Sequence, residues 1–176
     1  MNTTRSSRAL STTAVALAIT AFSAAPALAH VSGSNGVSGL SGRSVLDAQL
    51  VGSNPAPASP VIAGINPGGA PWVNGPSPVR VREDGRIEVT VRGLVIPPPR
   101  GTGVNPVPSV VATLVCGNMV QDSTEPFPLD MAGNGLTADL ITVPEVCDAP
   151  AVLIQPAANR MVFIASTMGE EEPNPR

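Results

Sequence analysis

One histidine, two cysteines and a scatter of carboxylates carry whatever side-chain chemistry this chain can do. His30 follows Ala27-Leu28-Ala29, a small-x-small pattern, so cleavage after Ala29 would make it the amino-terminal residue. An amino-terminal histidine can chelate copper through its α-amine and ring. Such sites need at least one further histidine, and Cu(II) favours a square-planar set of nitrogen and oxygen ligands. The chain has no second histidine, so His30 reads as the residue that merely follows the cut. The same shortage defeats a nucleophilic triad. Ser38 and Ser41 lie among glycines, but neither completes Gly-x-Ser-x-Gly.

Paired carboxylates are the next chemistry to weigh. Asp122, Glu125, Asp130, Asp139, Glu145 and Asp148 fall in segments rich in turn residues. Two of them facing each other across a cleft would suit a secreted, glycosidase-like hydrolase. Solubility accounts for acidic residues on loops more simply. Asp84 belongs to a turn, and calcium would need an Asp-x-Asp-type loop that is absent. Residues 66–69 hold glycines without the Lys-Ser/Thr of a phosphate loop. No cofactor and no metal site is implied.

Cys116 and Cys147 are expected to form one disulfide. A metal pair or a catalytic thiol would want histidine partners that are missing. The bond would close a loop of about 32 residues, for which the chain-entropy model gives roughly 3–4 kcal/mol.

The elements that must position these residues begin after a leader. Residues 1–8 carry Arg5 and Arg8 with no acid, and 9–21 are apolar, completing the plan of a Sec-type signal peptide over 1–29. The apolar run is too short to anchor in a bilayer. The two arginines are not adjacent, which argues against the twin-arginine route. Residues 30–43 read as a flexible Ser/Gly lead-in, 44–168 as one domain, and 169–176 as a disordered acidic tail without a sorting signal. The chain is expected to be secreted and freely released.

Composition narrows the class. All ten cationic residues are arginine, and loss of Arg5 and Arg8 would leave eight against thirteen acids, a formal −5 in place of −3. That balance argues against nucleic acid and anionic lipid as partners. Twenty prolines and seventeen glycines disfavour long helices and favour short strands joined by turns.

The strongest local signal is Val79-Arg80-Val81-Arg82-Glu83-Asp84-Gly85-Arg86-Ile87-Glu88-Val89-Thr90-Val91. Apolar and charged residues alternate on both sides of an Asp-Gly, a hairpin signature. A two-residue loop would set Val81 opposite Glu88 and mix the faces. A three-residue loop, 83–85, sets Val81 against Ile87, Val79 against Val89 and Arg80 against Glu88, with Gly85 left-handed. A one-residue slip moves every side chain to the wrong face, so the second register is predicted.

Along the rest of the chain, 44–51 reads as a first strand and 61–65 as a short apolar one. The hairpin's second strand is expected to run on to Ile96 with a bulge at Gly93, until Pro97-Pro98-Pro99 ends it. Residues 110–116 are nonpolar on both faces apart from Thr113, as a central strand would be. Residues 117–128 read as a polar loop, 132–135 as a turn, 136–143 as a strand and 144–150 as a loop. Residues 151–154 and 161–165 read as short buried strands paired across 155–160.

Seven to nine short strands of this kind predict an all-β fold, a single antiparallel β-sandwich of Greek-key-like order, with an open barrel as the alternative. An ordinary immunoglobulin domain is not expected, because Trp72 precedes both cysteines instead of lying between them. Trp72 itself is either a core plug or an exposed platform for a sugar ring. The scarcity of aromatic residues favours the core.

The pattern Asn66-Pro-Gly-Gly-Ala-Pro-Trp72, the segment Gly93-Leu94-Val95-Ile96, Val115-Cys116-Gly117, and Pro144-Glu145-Val146-Cys147-Asp148-Ala149-Pro150 together resemble exported proteins of high-GC Gram-positive bacteria. The resemblance covers most of the chain after the leader. It implies export and a common fold, and it carries over no activity and no functional residue. The expectation is therefore a secreted, non-enzymatic binding or structural module with an extracellular or envelope protein or glycan as partner. The loop-carboxylate hydrolase is the alternative.

Overall fold

In a computed structural model the structure describes residues 42–167. The expectations for 1–41, including the Ala29/His30 cleavage, the lead-in apart from its last two residues, and Ser38 and Ser41, lie outside the described residues. So do those for 168–176. Among the described residues there is no helix, and twelve strand segments build an all-β domain.

Sheet A has the order β1 (Ser44–Gln49), β4 (Pro78–Arg82), β5 (Arg86–Val91), β9 (Gly135–Leu140). Sheet B has the order β2 (Val51–Gly52), β12 (Ala165–Ser166), β10 (Pro150–Pro156), β6 (Ser109–Cys116), β7 (Met119–Ser123), with β8 (Phe127–Pro128) also on β6. Every pairing in both sheets is antiparallel, and neither sheet closes into a barrel, so the fold is the sandwich and not the open barrel. A small parallel pair, β3 (Asn66–Pro67) with β11 (Val162–Phe163), forms its own two-stranded sheet.

The hairpin has the predicted register: Val79 opposes Val89, Arg80 opposes Glu88 and Val81 opposes Ile87. Gly85 has φ +88°, and its amide closes the turn onto the Arg82 carbonyl at 3.0 Å. A Cβ there would sit 2.5 Å from the Ile141 carbonyl oxygen, so glycine is needed for space as well as for its backbone angle. Val79, Val81, Ile87, Val89 and Val91 are buried and pack on Val110, Ala112, Leu114, Val152 and Ile154 of sheet B. Their burial supplies the driving force that joins the two sheets.

Sheet B is covered on its other face too. Val115, Ala151 and Leu153 pack with Ile62 and Phe163 in a second core. A buried chain of polar groups secures that side. Ser123 donates to the Thr113 hydroxyl, Thr113 donates to the Gln155 side-chain oxygen, and the Gln155 amide donates to the Arg160 carbonyl. With each donor supplied with an acceptor, the burial of Thr113 and Gln155 does not leave an unpaired polar group. Trp72 is 6% exposed and belongs to the main core, so it is the plug and not the platform.

Several sequence expectations need correction. Residues 61–65 are a tight turn, not a strand: Ile62 and Ile65 exchange backbone hydrogen bonds across Ala63 (φ 50°) and Gly64 (φ 78°). The strand from the hairpin does not run to Ile96. It leaves β9 after Val91, Gly93 turns left-handed (φ 63°), and Val95 bridges to Val73 instead. The stretch 117–128 contains β7, whose polar residues are tolerated because it lies at the edge of sheet B, and β8, whose Phe127 is buried in the main core. Residues 151–154 do pair with the 161–165 region, but only through Ala165–Ser166, while Val162–Phe163 turn to β3. Seven strands have five or more residues, and five further two-residue segments raise the count above the expected nine.

The two lateral seams of the sandwich close differently. On one side the chain crosses by itself: β1 leaves sheet A after Gln49, and Leu50 leads directly into β2 at the edge of sheet B. On the other side β9 and β7 are separate edges, and side chains must join them.

Candidate functional site

Of the carboxylates singled out by sequence, Asp122 and Asp139 lie on the edge strands β7 and β9, and each is engaged by backbone amides. Asp122 on β7 accepts the Thr142 amide and the Ser123 amide, each at 2.8 Å. Asp139 on β9 accepts the Glu125 amide and the Leu140 amide, also at 2.8 Å. Asp130 holds its own turn by accepting from the Asn134 amide at 2.8 Å and from the Asn134 side chain at 3.2 Å. Glu145 and Asp148 lie in the 144–149 loop, where the Asp148 carbonyl receives the Gly117 amide.

Their electrostatics follow. The Thr142 amide, then the Ser123 amide, holds the Asp122 carboxyl below the usual aspartate range. The Asn134 amide and side chain do the same to Asp130. A general acid needs the opposite shift, so these two groups are set up as fixed anions that terminate backbone donors. Among the described residues no three of His, Cys, Asp and Glu are grouped to hold a metal ion.

Cys116, at the end of β6, is bonded to Cys147 in the loop before β10, with Cα atoms 4.9 Å apart. The bond ties the 144–149 loop to the end of sheet B, and both cysteines pack against the main core. A structural disulfide of this kind fits an oxidising compartment. Among the described residues no helix is long and apolar enough to cross a membrane.

Surface relief is instead found on the outer face of sheet A. Residues opposite one another on antiparallel strands share a face, so Arg86, Glu88 and Thr90 stand outward beside Leu140, Ala138 and Leu136. Leu136 is 73% exposed and Leu140 is 70% exposed. Further across, Asp47 pairs with Arg80 at 3.3 Å, and Arg86 approaches Asp84 at 3.8 Å. Arg82 and Glu88 have no ion-pair partner among the described residues. The face is thus a charged ladder on β1, β4 and β5 beside an apolar strip on β9.

Shallow hollows lie on this face or at its rim. One of about 780 Å³ runs between β5 and β9 and is lined by Asp84, Arg86, Ile87, Glu88, Ala138, Asp139 and Leu140. A second, about 280 Å³, sits over Gly42, Ser44, Asp47, Arg80 and Arg82. Others lie over Pro78 and Thr90, and at the far ends of β5 and β9.

Sequence reading located β9 but did not identify its outward leucines. Hydrophobic patterning alone would turn Leu136 and Leu140 inward. The register with β5 decides otherwise: Ile87 faces the core, so Asp139 opposite it does too, and the leucines take the other face. Asp139 is accommodated there because β9 is an edge strand, where backbone amides of the neighbouring segment can reach it.

No family model, no curated protein and no solved structure matches this chain.

Proposed function

We propose that this chain is a secreted, non-enzymatic β-sandwich acting as a binding or structural module in the extracellular space or cell envelope, with the outer face of sheet A as its recognition surface. The observation that carries the reading is a division of labour among polar groups. Asp122, Asp130 and Asp139 are occupied in holding backbone amides, whereas exposed leucines, Arg82 and Glu88 stand on one face with shallow hollows among them. Flat faces with an apolar strip and a polar surround are suited to docking on another macromolecule. The leader-like first 29 residues, the disulfide and the surplus of acids support secretion.

The test is co-sedimentation of the protein from culture supernatant with isolated cell envelopes of a high-GC Gram-positive bacterium. The wild type is expected to be retained, and an Arg80→Ala/Leu140→Ser double variant to be released about tenfold more readily. Absence of retention would sink the reading. So would cleavage of reporter glycosides by the wild type that is lost on Asp122→Asn or Glu125→Gln. Mass spectrometry of the same material checks the processing, with His30 expected as the first residue.

A further inference from the structure

We propose that Met119, Met131 and Met161 are surface oxidation sites, each taking one oxygen atom from a hydroperoxide without disturbing the fold. Met119 is 67% exposed, Met131 76% and Met161 70%. They are the methionines among the described residues, and none contributes to either core. That placement runs against the residue's usual employment, since a flexible thioether suits it to filling gaps in an interior. Here valine, leucine, isoleucine, alanine and a few aromatic residues fill both cores.

The main chain makes the hydrogen bonds at each of these positions. The Met119 carbonyl, at the start of β7, accepts the Gln121 side-chain amide at 3.3 Å. The Met131 carbonyl, in the turn before β9, accepts the Asn105 amide at 2.8 Å. The Met161 carbonyl accepts the Asn66 amide at 3.4 Å, and the Met161 amide donates to the Asn159 side-chain oxygen at 3.1 Å. The thioethers themselves stand largely in water. Adding a polar oxygen to them therefore buries no new dipole and displaces no packed neighbour, whereas a methionine in the core would suffer both.

Other readily oxidised groups are withheld. The chain has no tyrosine, its one tryptophan is 6% exposed, and Cys116 and Cys147 are already joined. The reaction is a two-electron oxygen transfer. The thioether sulfur attacks the terminal peroxide oxygen, an S–O bond forms and the O–O bond breaks. The proton on the transferred oxygen moves to the departing one, which leaves as water or an alcohol. Sulfur is oxidised, the peroxide is reduced, and sulfoxide reductases can reverse the change. None of the three methionines lies on a strand of sheet A, so the proposed recognition face is left unaltered.

The experiment treats the secreted protein with hydrogen peroxide and follows it by intact mass, peptide mapping and urea denaturation. Met168, outside the described residues, is read as its own peptide and counted separately. Met119, Met131 and Met161 are each expected to gain about 16 Da, at rates within about threefold of N-acetylmethionine amide, because exposure governs susceptibility. Trp72 and the disulfide should stay intact. The urea midpoint of the oxidised protein should lie within about 0.2 M of the untreated one. Methionine sulfoxide reductases should return the mass to its starting value. A Met119→Leu/Met131→Leu/Met161→Leu variant is expected to fold with the wild-type midpoint and to lose those three additions. Rates more than about tenfold below the free thioether would show the sulfurs to be shielded and overturn the inference. So would a midpoint lowered by more than about 0.5 M on oxidation, which would make the side chains structural. Oxygen appearing on Trp72 ahead of the methionines would overturn it as well.

Discussion

Asp122 and Asp139 clasp the open seam of the sandwich reciprocally. Asp122, on β7 of sheet B, accepts the amide of Thr142 just beyond β9, while Asp139, on β9 of sheet A, accepts the amide of Glu125 just beyond β7. Each uses its second oxygen on the amide of the residue that follows it. Four backbone donors at a sheet edge are satisfied by two side chains, and the opposite seam needs none of this because the chain itself crosses from β1 to β2.

The clasp predicts a coupled pair. Asp122→Ala and Asp139→Ala are each expected to lower stability by about 1 kcal/mol, below the full value of charge-assisted hydrogen bonds because the seam is largely solvated. Both bonds hold the same two segments, so the double variant should cost less than the two single variants added together. Urea denaturation of the four proteins measures this, and strict additivity would mean that the two aspartates act independently.

A pH dependence follows from the same site. The Asp122 carboxyl is held below its ordinary value in the folded chain, so its contribution is fully present above the unfolded value of about 3.9 and is lost as pH falls through the folded one. The wild type should therefore lose stability below about pH 4 more steeply than Asp122→Asn. Urea midpoints at neutral and acid pH compare the two. Parallel curves would remove Asp122 from the acid response.

Two turn positions should respond in opposite directions. Gly85→Ala combines a left-handed backbone with a Cβ 2.5 Å from the Ile141 oxygen and is expected to cost about 2 kcal/mol or more. Ala63 already has a side chain at φ 50°, so Ala63→Gly should stabilise by about 0.5 kcal/mol, the relief of the left-handed penalty less the added freedom of the unfolded chain. Thermal unfolding of the two variants gives both signs at once.

Reduction should cost far more than any surface change. Without the Cys116–Cys147 bond, the unfolded chain regains the freedom of the loop across a separation of 31 residues, worth roughly 3–4 kcal/mol. A Cys116→Ser/Cys147→Ser variant, or the wild type in dithiothreitol, should show that loss in urea. A change below about 1 kcal/mol would mean that the loop is held mainly by its packing.

Legibility in the sequence divided along sequence distance. The 79–91 hairpin was readable to the residue pair, since alternation and turn chemistry act over a few residues and only one register keeps valines on one side. The deep strand 109–116 was readable because it is apolar on both faces. The 61–65 run misled because four apolar residues suit a turn over a second core as well as a strand, and nothing local separates the two. Residues 119–123 looked like a loop because an edge strand's polar side chains leave no periodic apolar signal.

By itself the sequence determined the class of fold, the central hairpin and the one disulfide, because each follows from short-range periodicity or from there being only two cysteines to pair. Tertiary structure alone decided which side of β9 faces water. Asp139 turns inward and Leu136 and Leu140 outward because the pairing with Ile87 and Val89 sets the phase of the whole strand, and burial of those two residues outweighs the preference of the leucines. The same pairing brings Asp139 to the Glu125 amide, which is why an acid that sequence offered as a catalytic candidate is instead a fastening between sheets.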